Sequence, residues 1–241
     1  ENKDTNKEDL IPNKNIISEN FSEEAAKLLE KRFVYAGALI AACIVSSLPQ
    51  TMNLSSFIWE YLTNGNVSIE SIYEIDEDFK QLIQNAESLE KRINSISDDE
   101  FNKCFYHFFE IKDSFDNVVE LIPSGSKVLV TKENLHEFIQ LSKKQRINEF
   151  NDELKDLKEG FDKIYNNITS ILRPNELKLL VCGEMSCSVE RMKKIIDVST
   201  PSLYNEKFNE EQMIEMFWKV IESFSIEDRM QFIRFSCLLQ V

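Results

Sequence analysis

Turn-forming residues are scarce: the 241 residues hold five glycines and five prolines. A β-sandwich or barrel needs a turn signal about every eight to twelve residues, so a turn-rich all-β fold is excluded and helix should dominate. Positive charge is also short, with 28 Lys and Arg against 42 Asp and Glu and a formal net charge of −14. Such a chain repels phosphate backbones, which argues against nucleic acid as a partner and for a protein with a basic face. There are two histidines, and the five cysteines (Cys43, Cys104, Cys182, Cys187, Cys237) are scattered. No pair has zinc-site spacing with histidines nearby. No cofactor or metal is expected, and reduced thiols in the cytoplasm or nucleus fit the odd count. The one long apolar run, Val34 to Val45, is twelve residues, against about 20 for a membrane span. Lys31 and Arg32 precede it as in a signal sequence, but it begins more than thirty residues into the chain and lacks turn residues. A buried helix is expected there, and no membrane partner. The Asn-x-Ser/Thr sequences at Asn20, Asn53, Asn66 and Asn167 carry no weight without a secretory signal.

What is present is a globular composition, 42% hydrophobic with 17 phenylalanines, and enough chain to bury a core. Residues 1–21 are polar with little periodicity and read as an extended lead-in. Ser22, Glu23 and Glu24 open a helix that runs to about Ser46 and turns apolar all round after Arg32, as a central core helix would. Shorter helices are expected near 55–62 and 69–75. Asp78 to Ile93 repeats apolar residues at Phe79, Leu82, Ile83, Ala86 and Leu89, which is helical spacing. The tract from Glu74 to Glu100 holds nine acidic and three basic residues. The period then changes. Cys104–Ile111, Val118–Leu121 and Lys127–Val130, around Pro123-Ser124-Gly125, read as two or three short strands with a turn. Thr131 is a candidate cap for a helix starting at Lys132.

That helix continues, with a bend, to about Tyr165. Its apolar positions Ile147, Phe150, Leu154, Leu157, Phe161, Ile164 and Ile168 are spaced 3, 4, 3, 4, 3, 4. A coiled-coil dimer is the obvious rival, but phenylalanine in the seam and Gly160 inside the run favour packing within one core. Pro174 opens a short helix that Gly183 ends. Helices near 188–196, 210–224 and 226–236 complete an α+β chain that is predominantly helical.

Several blocks then fall into one order. Leu10-Ile11-Pro12-Asn13 precedes Phe33-Val34-Tyr35-Ala36-Gly37-Ala38-Leu39-Ile40, and Asn53 to Leu62 (NLSSFIWEYL) is followed by Ile75-Asp76-Glu77-Asp78-Phe79. Glu120-Leu121-Ile122-Pro123-Ser124-Gly125 leads to Val130-Thr131-Lys132-Glu133-Asn134. Next come Leu172 to Gly183 (LRPNELKLLVCG), Met216-Phe217-Trp218 and Phe232-Ile233-Arg234-Phe235. Collinear over residues 10 to 235, these blocks resemble the N-terminal lobe of the HECT-type ubiquitin ligases. Departures include Ala41 for a usual glycine and Ser142 where relatives often carry tyrosine. The family's upstream acidic-glycine signature, its hinge glycine after Phe235 and the Thr-Cys motif of its C-lobe are not found.

The resemblance implies an α+β lobe over residues 22–241. A smaller, strand-containing subdomain at about 76–142 binds the conjugating enzyme, and residues 22–75 and 143–241 make a larger helical one. It implies that this chain docks a ubiquitin-charged conjugating enzyme, for transfer to a cysteine on the C-lobe. The other partners are ubiquitin and a protein substrate held by regions outside this chain. Phe138 is the expected anchor of the docking groove, two turns into its helix and near the subdomain's exposed end. Phe79, Leu82, Ile83 and Leu89 would line it from the acidic helix, Phe105 and His107 from the strand, and Ser142 from beside the anchor. Independently of the family, an aromatic cluster inside an acidic rim suits a partner with apolar loops and a basic helix. The alternative is that the Phe79, Leu82 and Ile83 stripe faces the lobe's own core. No residue is assigned as the nucleophile, and the chain alone is expected to form no thioester. Cys237 follows a helix C-terminus, where the dipole opposes a thiolate. A non-catalytic scaffold derived from such a lobe is the second reading.

Overall fold

Helix α1, Arg32–Val45, crosses α7, Asn151–Ile164, with backbone against backbone. A Cβ on Gly37 would lie 1.8 Å from the Leu157 carbonyl oxygen, and one on Gly160 would lie 1.8 Å from that of Val34. Only glycine permits this approach. It explains Gly160 inside an otherwise strong helical pattern: the middle of the seam, Phe150, Leu154, Leu157 and Phe161, is buried within the single chain, whereas Ile147 is half-buried and Ile164 is exposed. Phe150 stacks on Phe57 at 5.4 Å. One expectation is corrected: α1 is not buried all round. Gly37, Ile40, Ala41 and Cys43 face inward, whereas Tyr35, Leu39 and Val45 stay over 60% exposed.

The protein is described by a computed structural model covering residues 9–13, 24, 27–28, 31–165, 171–183, 188–196 and 210–238. The chain forms two units, Glu1–Val181 and Cys182–Val241, and the segment 76–142 lies inside the first. Most of the expected lead-in falls outside the described residues, as do Ile168, Cys187 and the side chain of Cys237. The backbone of Cys237 lies within the last helix rather than after it.

In the first unit, α2 (Ser56–Asn64) stops where Gly65 turns left-handed at φ +73°. Leu10 bridges Leu54 in parallel, seating the segment 9–13 beside α2. Glu60 of α2 accepts from the Ser68 backbone N–H and from the Ser68 and Ser71 hydroxyls, which ties α2 to the start of α3, Ile69–Ile75. Asp76 ends α3 and caps α4, Glu77–Lys91, by accepting from Phe79 N–H at 2.8 Å. A reciprocal Ser97–Glu100 capping box opens α5, Asp98–Cys104, worth about 1 kcal/mol.

Strands β1 (Glu110–Lys112) and β2 (Val118–Glu120) pair antiparallel with Ile111 opposite Val119. The Asp113 carboxylate closes their turn by accepting from the backbone of Phe115 and Asn117. A third pairing is a single bridge, Phe108 to Leu129. Helix α6 is Leu135–Ile147, not 132 onward. Asn134 Oδ1 accepts from Thr131 N–H at 2.6 Å and its amide donates to Leu129 O, which closes a turn over 131–134. A break at 148–150 separates α6 from α7, the expected bend. α8 is Pro174–Cys182. In the second unit α9 (Val189–Ile195), α10 (Glu210–Ser223) and α11 (Ile226–Leu238) gather around Val189, Met192 and Ile221, with Phe217, Trp218 and Phe232 against them. The fold is α+β and helix-dominated, as expected.

Candidate functional site

Helix α4 opens with acidic residues, which suit its N-terminus, and closes with Lys91. Its apolar stripe divides. Phe79, Ile83, Ala86 and Leu89 are buried, and Leu82 sits at the margin. At that margin an open cleft of about 660 Å³ lies between the start of α4, the hairpin strand and the segment around Ile11. Phe79 and Leu82 reach it from α4, and His107, Tyr106 and Phe108 from the chain leading into β1.

One wall is fastened by Arg146, whose side chain is 1% exposed. It donates to Asp76 Oδ2 at 2.6 Å, to Ser114 Oγ at 3.0 Å and to Glu149, and lies 5.3 Å from the Phe79 ring centroid. Glu149 also accepts from Ser114 N–H at 2.9 Å. A single guanidinium thus joins the α3–α4 junction, the hairpin turn and the break between α6 and α7. Removing one member of such a network leaves a buried charge uncompensated. Sequence reasoning missed it, because partners 32 and 70 residues away in the chain leave no local pattern.

The cleft is negative. Asp9, Asp76, Asp78, Glu110, Asp113 and Asp116 line it against Lys112 and Arg146. Arg146 is committed to Asp76 and Glu149, and Lys112 lies 3.3 Å from Asp116. The acidic character extends behind it: burial first, then the charges of Glu87 and Glu70, push the Tyr73 phenol up to about 12. The His107 ring lies 4.5 Å from that of Phe105, and burial lowers its pKa. Among the described residues no group of three His, Cys, Asp or Glu could hold a metal ion, and no helix is long and apolar enough to cross a membrane.

Of the eight residues expected in a groove, Phe79, Leu82 and His107 meet in this cleft. The expectation of an exposed Phe138 is corrected. With α6 starting at Leu135, Phe138 falls in its first turn and points inward. Its ring is fully buried, edge-on to Phe105 at 5.8 Å and to Phe109 at 5.7 Å. Phe105, Ile83 and Leu89 are buried too, and so is Ser142, whose hydroxyl has no hydrogen-bond partner among the described residues. These five form core behind the surface, because an aromatic cluster of this density gains more from mutual burial than from exposure. Of the exposed lining residues His107 was singled out, whereas the apolar Tyr106 and Val118 were not. In β1, Ile111 is buried between the more exposed Glu110 and Lys112, and extending that alternation back to Phe109 would have pointed to Phe108 and Tyr106 as outward positions.

A model of the HECT domain (ubiquitin-transferase) matches residues 1–239. Among curated proteins the chain is 24% identical over 204 residues to the E3 ubiquitin-protein ligase HERC2 of Homo sapiens, covering 84% of this chain and 4% of that protein. It is 25% identical over 214 residues to the E3 ubiquitin-protein ligase ptr1 of Schizosaccharomyces pombe, covering 85% and 6%. To the E3 ubiquitin-protein ligase RSP5 of Emericella nidulans it is 24% identical over 180 residues, covering 74% and 20%. The chain therefore spans a small fraction of the length of these relatives.

Proposed function

This chain belongs to the HECT-domain (ubiquitin-transferase) family, and from that premise we propose that it is the docking lobe of a ubiquitin-protein ligase. It receives a ubiquitin-charged conjugating enzyme at the cleft between α4 and the hairpin, and ubiquitin then passes to a cysteine outside residues 1–241. The observation that carries the proposal is the convergence of Phe79, Leu82 and His107 on one open, acidic cleft. A mixed apolar and charged depression suits a partner that is steered electrostatically and held by a few apolar contacts. The buried Phe105–Phe138–Phe109 cluster serves as the rigid floor rather than the contact itself.

The described thiols do not compete for the transfer role. Cys43 and Cys182 are buried, and exposed Cys104 closes α5, where the helix dipole disfavours a thiolate. The protein works in the cytoplasm or nucleus, where such thiols stay reduced.

Titration calorimetry of the chain against a panel of conjugating enzymes tests the docking site. Leu82→Ala should weaken binding about tenfold, the effect of losing about 1.4 kcal/mol of apolar contact, with little change in melting temperature. His107→Ala should weaken it less. Unchanged affinity in both variants would remove the assignment.

A further inference from the structure

Stability alone does not account for a guanidinium at position 146. The Arg146 side chain is 1% exposed and that of Glu149 is 3% exposed, and the Arg146 Nε–H is buried with no hydrogen-bond partner among the described residues. A buried ion pair gains little over well-packed apolar residues of the same volume, because desolvation offsets the attraction. An apolar side chain at 146 could hold the interior together as well. What it would lack is directed bonds. The planar guanidinium projects its donors at fixed angles, and here they reach residues on opposite walls of the cleft. Asp76, on the α4 wall, accepts at 2.6 Å, and Ser114, on the hairpin wall, accepts at 3.0 Å.

Each end of that span is tied into its wall. The Asp76 carboxylate divides its oxygens: Oδ2 accepts from Arg146, and Oδ1 accepts from Phe79 N–H at 2.8 Å. The same group therefore sets where α4 starts and where Phe79 and Leu82 stand. Ser114 is held twice. Its hydroxyl oxygen accepts from Arg146, and its N–H donates to Glu149, which itself accepts from Arg146. In chain order Asp76 opens, and Arg146 to Glu149 closes, the stretch that carries α4, the hairpin and α6, so the hairpin turn is bonded to both ends of its own stretch. We propose that Arg146 is a positioning residue for docking: its guanidinium fixes the spacing between the α4 wall and the hairpin wall of the cleft. The role rests on the docking reading and adds to it a residue that acts through Asp76 and Ser114 rather than by contact with the partner.

The test compares thermal stability with capture of ubiquitin-conjugating enzymes by the full chain, read by biolayer interferometry. Arg146→Met with Glu149→Leu removes the buried pair, leaves the net charge unchanged, and keeps Asp76, whose side chain is 23% exposed, as the cap of α4. The double variant should melt above Arg146→Met alone, yet both should capture about tenfold more weakly than the unaltered chain. Affinity that returns together with the melting temperature would make Arg146 a structural residue only and overturn the proposal. Arg146→Lys keeps the charge but not the fork, and it carries the test if the double variant does not fold. It should weaken capture severalfold. In amide hydrogen exchange it should speed Ser114 about tenfold while the amides in the middle of α1 stay as they are. Equal acceleration at both places, or none at Ser114, overturns the proposal. Leu82→Ala separates it from the docking reading. If that variant weakens capture while the Arg146 variants bind as the unaltered chain does, docking stands and the positioning role falls. If the unaltered chain captures no conjugating enzyme of the panel, the docking reading and this role fall together.

Discussion

The α1–α7 crossing and the cleft region are held together in opposite ways. At the crossing two backbones touch through Gly37 and Gly160. Around the cleft, aromatic rings stand between the hairpin side and α6, and side chains join the elements: the buried Arg146, and between α4 and α6 the Lys143–Glu87 and His136–Glu90 pairs. Backbone contact fixes two elements rigidly and excludes everything else. Side-chain struts fix elements at a distance and leave a concave surface between them, which is where a partner can be accommodated.

The sharpest way to break the second arrangement is Phe138→Ala. It removes the ring on which Phe105 and Phe109 converge and should cost about 4 kcal/mol in denaturant unfolding. A cost under about 1 kcal/mol would show that Phe138 is not core and would restore it as a surface anchor. Arg146→Met should follow at about 3 kcal/mol, because Asp76 and Glu149 lose their common counter-charge. Adding Glu149→Leu to Arg146→Met should recover part of that loss, and strict additivity of the two changes would deny the network. The first arrangement is tested by Gly160→Ala. In an open helix this exchange gains about 1 kcal/mol; here the new methyl meets the Val34 carbonyl, and a loss of about 2 kcal/mol is expected. The sign decides, since any gain means the helices stand further apart.

The smallest effect concerns pH. Burial lowers the His107 pKa below the ordinary value of about 6.5, so the unfolded chain takes up that proton first as pH falls. Its contribution is fully present above about pH 6.5 and declines below that. The exposed carboxylates with lowered pKa, such as Glu100 and Glu120, weaken the fold only at lower pH, near and below the ordinary glutamate range. Melting temperatures of the protein and of His107→Gln at pH 7.5 and 5.5 isolate the histidine. The variant should lose less on acidification, and equal losses would place His107 in water.

Legibility in the sequence followed the range of the interactions. Gly65 and Gly183 as helix stops and Pro174 in a first turn depend on neighbours within four residues, whereas the Asp76 cap of α4 and the strand turn closed by Asp113 went unread. The helices near 69–75, 188–196 and 210–224 accordingly lie close to where periodicity puts them. Where a side chain outside the pattern intervened, the reading slipped. Asn134 folds back onto Thr131 and delays α6 by three residues, and Phe138 lies in the core rather than at the exposed end expected. α1 illustrates the limit of composition: an all-apolar run was expected to be enclosed, yet Tyr35 and Leu39 are exposed while the face toward α7 is buried.

The sequence by itself determined the helical α+β class, the order of the elements and the family, since each is carried by local spacing or by blocks of adjacent residues. Only the tertiary structure decided which apolar residues face water. It buried Phe138 and Ser142, exposed Tyr106 and Val118, and recruited Arg146 to join three segments far apart in the chain. Periodicity specifies that a helix has an apolar face, but not what that face meets. Whether the face becomes core or contact surface depends on elements tens of residues away, whose approach is set by packing and by the pairing of buried charge.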